Sequence, residues 1–139
     1  AVQAAVANSA RYDVFQLGEA TLAGDAPRSL RILEGLRAEG AEPPLVLWVL
    51  CRELRALADV RNGVARKAHG AAQERHEDLV RRAAKRTAGQ PIEHWFEAAA
   101  NIDRQVKDQS ESKGDPWTSL TGLVASISGA RLPPAMLRG

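Results

Sequence analysis

Between Pro43 and Val60 the chain reads PPLVLWVLCRELRALADV, and its apolar residues recur at helical spacing. Leu47, Leu50, Cys51, Leu54, Leu57 and Ala58 follow the i, i+3, i+4 pattern of one face of an α-helix over about Leu45 to Val60. Pro43 and Pro44 open the helix, because the first turn has no need of the N–H groups that proline lacks. So continuous an apolar face is stable only when other elements cover it. The rest of the chain must therefore supply complementary stripes.

It does so in further helical segments. Ala1 to Ala7 is an Ala/Val-rich piece, read as the tail of an element whose partners lie upstream. Asp13 is expected to cap a helix ending near Ala23, with Gly24 as its stop. Val14, Leu17 and Thr21 share one of its faces, with Phe15 and Leu22 alongside. Asp25 caps the next helix, Pro27 lies in its first turn and Gly40 ends it, with Leu30, Leu33 and Leu36 as the buried ridge. So short a connection predicts an αα-hairpin. Asn62 to Gly70, bounded by glycines, reads as a mobile loop.

A polar helix over about Ala71 to Thr87 places Ala72, His76, Leu79 and Ala83 on its less polar side. After Gly89 and Pro91, one stripe gathers Ile92, Trp95, Phe96, Ala99, Ile102 and Val106. Gln109 to Gly114 reads as a polar turn, and Asp115 with Pro116 then starts a helix burying Trp117, Leu120, Val124 and Ile127. The tail after Gly129 is expected to fray. No strand pattern and no internal repeat is apparent. The expected fold is all-α, a compact bundle of about five to six helices. Its core is expected around Phe15, Leu33, Leu50, Leu54, Trp95, Phe96, Ile102, Trp117, Leu120 and Val124.

Composition limits the function classes. With 45% hydrophobic and 26% charged residues, 139 residues suit one globular domain. A formal charge of +2 permits nucleic-acid contact without indicating it, although the pI is near 9.0. A single cysteine excludes an internal disulfide and fits a reducing compartment. No apolar run approaches the roughly 20 residues of a membrane helix. Without an initiator Met, the chain is expected to begin inside a longer protein.

Nothing in the sequence suggests catalysis or a bound cofactor. His69, His76 and His94 lack metal-ligand spacing, and there is no phosphate-binding glycine loop or nucleophile elbow. His76 reads as a helix-contact residue and Cys51 as an inert buried thiol. Three groups remain as candidates for binding. Arg75, Arg82 and Arg86, with Lys85 nearby, form a stripe that is either a solvated face or a surface for DNA or an acidic partner. Asp103 and Lys107, at i,i+4, are expected to form a partly buried pair that sets helix register or belongs to an interface. Trp48, Arg52 and Arg55 flank the strongest helix. They suit either a second contact surface or a tryptophan packed under Arg52 within the domain.

Several ordered markers carry a family resemblance. They are Tyr12, Phe15 and Leu17 in a Tyr-x-x-Phe-x-Leu opening, Leu22-Ala23-Gly24-Asp25, Ile32-Leu33, Leu36, Glu39-Gly40 and Pro43-Pro44. Trp48 to Leu54 follows, then Ile102-Asp103-x-x-Val106-Lys107, and finally Trp117 and Leu120. From about Ala10 to Ile127 the chain resembles the C-terminal region of the delta subunits of bacterial DNA polymerase III clamp loaders. The resemblance implies a cytoplasmic, replication-fork protein whose last helical domain joins a five-subunit collar. Residues 1–10 would then be the tail of an AAA+-type lid module, 11–129 the collar domain and 130–139 a flexible tail. Delta-prime and the ATP-hydrolysing subunits would be its neighbours, the parent subunit would not hydrolyse ATP, and the sliding clamp would bind only the region N-terminal to this one. The family often carries Arg-Val-Trp and further basic residues before the polar helix. This chain has Lys67-Ala68-His69-Gly70 there, so direct DNA contact is not carried over. The alternative expectation is a stand-alone nucleic-acid-binding module using the Arg75/Arg82/Arg86 face.

Overall fold

The computed structural model describes residues 2–107 and 114–130, with side chains from Ala10 onward. Six helices follow in order: α1 (Val2–Ala23), α2 (Ala26–Ala38), α3 (Pro43–Arg61), α4 (Ala71–Arg86), α5 (Ile92–Lys107) and α6 (Pro116–Ser128). No strand occurs among the described residues, so the chain is an all-α bundle. The expected polar turn lies outside the described residues except for Gly114, as does the expected tail beyond Ala130.

Helix α3 runs through the middle and meets α1, α4, α5 and α6. Its buried surface is therefore wider than one stripe. Val46, Leu47, Val49, Leu50, Glu53, Leu54, Ala56 and Leu57 are all buried. Val14, Leu17, Leu22, Leu33, Leu36, Trp95, Ile102, Leu120, Val124 and Ile127 complete one continuous core around it. Burying a Leu or Ile fully is worth about 1.5–3 kcal/mol relative to exposure, so this core is the main source of stability.

The punctuation works through identifiable contacts. Asp25 Oδ1 accepts from the Arg28 backbone N–H at 3.2 Å, and Asp115 Oδ1 from that of Trp117 at 3.3 Å. Each caps the helix it precedes. Gly24 closes α1 at φ +75°, and a Cβ there would lie 2.7 Å from Arg86 Nε. That close approach, with the left-handed backbone, leaves room for glycine alone.

Several expectations need correction. Asp13 does not cap a helix, because α1 runs unbroken from Val2; the Ala-rich residues before it contain no Gly or Pro to stop the helix. Phe15 is 42% exposed and lies outside the core, since the buried arc of α1 follows Val14, Leu17 and Thr21. Phe96 and Trp117 are only partly buried against the core. On α4 the buried residues are Glu77, Val80 and Ala83. Ala72, one of the residues expected on that side, is exposed. The loop after α3 is also pinned. Arg66 Nη1 donates to Asp59 Oδ2 at 2.6 Å, and Arg66 Nε donates to Glu77 Oε1 at 2.9 Å. Those two carboxylates raise the guanidinium pKa further, the hydrogen bond to Glu77 contributing most.

Candidate functional site

Two surfaces contain the charged and aromatic residues singled out in the sequence. They differ in what those residues touch.

The first lies where α4 crosses α1 and α3. Glu53 is 3% exposed, and His76 Nε2 lies 2.8 Å from its Oε1 and 3.0 Å from its Oε2. A carboxylate can only accept, so Nε2 carries the shared proton. Arg52 adds a longer contact at 3.6 Å. Helix α1 comes close enough to cover the pair because residue 18 is glycine; a Cβ there would sit 3.0 Å from Glu53 Oε2. His76 is thus a helix-contact residue as expected, although its partner is a buried carboxylate. Sequence reading missed Glu53. Its signal was an acidic residue between Val49, Leu50, Leu54 and Leu57 in an otherwise apolar arc.

Arg86 also turns inward here. Its Nη2 donates to the backbone oxygens of Thr21 at 3.2 Å and Leu22 at 3.3 Å, satisfying the open carbonyl end of α1. Burial lowers its guanidinium pKa from the usual arginine value. Arg61 treats α4 similarly, donating to the backbone oxygens of Thr87 and Gln90. The predicted cationic stripe is therefore divided. Arg82 is held by Asp78 at 2.7 Å, and Arg75 shares a depression of about 450 Å³ with Glu19, Asp78 and Arg82. Lys85 is exposed. Acidic residues interrupt what remains, and Arg86 belongs to the fold.

The second surface lies on the outer side of α1 and α3. Tyr12, Phe15 and Trp48 are 64%, 42% and 48% exposed, large rings that the fold leaves partly uncovered. The Trp48 and Phe15 ring centres are 5.8 Å apart at 79°, an edge-to-face contact. Arg52 lies over Phe15, 5.3 Å from the ring centre, so Phe15 occupies the place that sequence reading gave to Trp48. Arg55 is exposed one turn further along α3. Beside the rings is a shallow groove of about 350 Å³, lined by Arg11, Val14, Phe15, Leu45 and Trp48. Of these, Tyr12 and Phe15 had been read only as a family marker and a core residue.

Asp103 and Lys107 do pair, at 2.9 Å. Asp103 is partly buried and Lys107 is exposed, so the pair is partly buried on its acidic side alone. Asp103 sits at the border of the apolar arc of α5, where a long lysine leads the charge into water. Cys51 is half-buried, and burial raises its thiol pKa, which lowers its reactivity. No group of metal-ligating side chains occurs among the described residues, and no described helix is long and apolar enough to cross a membrane.

Sequence comparison bears on the same region of protein space. Over 60 residues the chain is 40% identical to DNA polymerase III subunit delta of Escherichia coli (strain K12). The match covers 43% of this chain and 18% of that protein, so the chain spans less than a fifth of its relative. No family model matches the chain. No solved structure matches it.

Proposed function

We propose that this chain is the collar-type C-terminal part of a clamp-loader delta subunit, a non-hydrolysing assembly module acting in bacterial DNA replication. The observation that carries this reading is the 40% identity over 60 residues to the E. coli delta subunit. An all-α bundle is consistent with it. In this reading residues 11–129 form the collar domain, and residues 1–10 end the preceding AAA+-type module. The ridge of Trp48, Arg52 and Arg55 faces a neighbouring subunit, either delta-prime or an ATP-hydrolysing one. Asp103 and Lys107 remain a secondary candidate contact. Clamp binding belongs to the region N-terminal to this one, and the setting is the bacterial cytoplasm at replication forks.

In the rival reading, a nucleic-acid face built on Arg75, Arg82 and Arg86, one of the three arginines is engaged by the backbone oxygens of Thr21 and Leu22. Reconstitution tests the preferred reading. Mixed with delta-prime and the ATP-hydrolysing subunits of the same bacterium, the chain should co-elute in size-exclusion chromatography as part of a larger complex. A chain that elutes alone while those subunits associate with one another contradicts the proposal. So does salt-sensitive binding to single-stranded DNA that depends on Arg75 and Arg82.

A further inference from the structure

The groove between α1 and α3 has the attributes of a specific receptor. Its lining combines aliphatic Val14 and Leu45 with the rings of Phe15 and Trp48. Its one charged lining residue is Arg11. Arg52 lies over Phe15 at its rim, and Arg55 lies on the same exposed stripe of α3. Neither Arg11 nor Arg55 has an ion-pair partner among the described residues. The carboxylate nearest in sequence to Arg52, Glu53, is buried against His76. An apolar slot therefore lies beside arginine side chains, of which Arg52 reaches Glu53 at 3.6 Å while Arg11 and Arg55 have no ion-pair partner among the described residues.

We propose that this groove docks an amphipathic helix of a neighbouring polypeptide, one that inserts a large apolar side chain into the slot beside the Phe15–Trp48 pair and presents flanking Asp or Glu residues to Arg11, Arg52 and Arg55. The proposal rests on the assembly reading above and names the chemistry of the partner at that surface. Helix-in-groove recognition uses this division of labour, with apolar anchors for affinity and charge for orientation. Two other occupants fit less well. A second copy pairing through this same face would set the three arginines against their own equivalents. Single-stranded nucleic acid gains most from stacking on several ring faces, whereas Arg52 lies over Phe15, so within the groove at most Trp48 offers an open face.

The test uses two fluorescein-labelled amphipathic peptides, each about four turns long, with the same leucine stripe flanked by glutamates in one and lysines in the other. Titrated against the full 139-residue chain, the glutamate peptide should bind saturably and weaken with added salt. Arg11→Glu, Arg52→Glu and Trp48→Ala should each weaken it about fivefold or more, while Arg31→Glu on exposed α2 leaves it unchanged. Circular dichroism confirms that each variant stays helical. Equal binding of the lysine peptide, no saturable binding of the glutamate peptide, or its displacement by oligothymidylate overturns the proposal. The titration needs no clamp-loader subunit, so the two readings separate. Failed peptide binding with intact assembly removes the groove and spares the collar, and saturable peptide binding without assembly does the reverse.

Discussion

The seam between α4 and its neighbours and the outer ridge of α1 and α3 both contain arginines beside apolar residues, yet they use them in opposite ways. At the seam, Arg61, Arg66 and Arg86 each reach a carbonyl or carboxylate elsewhere in the chain. Glu53 and Glu77 are buried and satisfied by His76 and Arg66. On the ridge, Arg11 and Arg55 have no ionic partner among the described residues, and three large rings face solvent. An arginine count alone would rate the two surfaces alike. The contacts differ: one set is bound within the fold, while Arg11 and Arg55 make no ion pair among the described residues.

Substitutions at the seam should therefore cost stability. The largest effect is expected from Glu53→Ala, which strands His76 in a buried site and removes a packed side chain. A loss of about 3 kcal/mol, read as a lower urea midpoint, is expected from breaking a buried pair. Glu53→Gln, which keeps an acceptor oxygen, should lose less. Arg86→Met comes next. It leaves two carbonyls of α1 without their donor, and charge-assisted hydrogen bonds of this kind contribute about 1.5–3 kcal/mol. Because Arg86 is partly exposed, the lower end is expected, with the same urea titration as the check.

Off the seam, effects on stability should be small. Lys107→Ala should change stability by no more than about 0.5 kcal/mol, since exposed i,i+4 pairs are worth little. A thermal melt within about 2 °C of the parent chain is expected. Cys51 gives a chemical check that the core is closed near α3. With its thiol pKa raised by burial, it should react with iodoacetamide more slowly at neutral pH than the same residue in urea-unfolded chain. Equal rates would show that α3 is open where the core is described as packed.

The bundle was largely legible in the sequence. The α3 stripe, the Asp25 and Asp115 caps and the glycine stops lie close together along the chain, and each acts within a turn or two. What escaped reading was tertiary. Phe15 is as apolar as Leu17, and only the position of α3 decides which of them is covered. Glu53 went unnoticed in its apolar arc, because its partner His76 comes from α4 and lies far along the chain. Arg86 sat on a helical wheel beside Arg75 and Arg82, but a long side chain can leave its wheel position, and the carbonyl end of α1 drew it inward. The candidate interface was half-visible. Trp48, Arg52 and Arg55 stood out on one helix, whereas Arg11 and Phe15 join them only because α1 packs alongside α3.

The contrast between a seam that holds the fold and a ridge that meets a partner is tested most directly by a double variant, Phe15→Ala with Trp48→Ala, assayed for both properties at once. The chain should stay folded, with a loss of about 2–4 kcal/mol from the ring pair and its half-buried area, while co-elution with delta-prime and the ATP-hydrolysing subunits is abolished. Assembly that survives the double substitution, or a fold that collapses under it, would contradict the account.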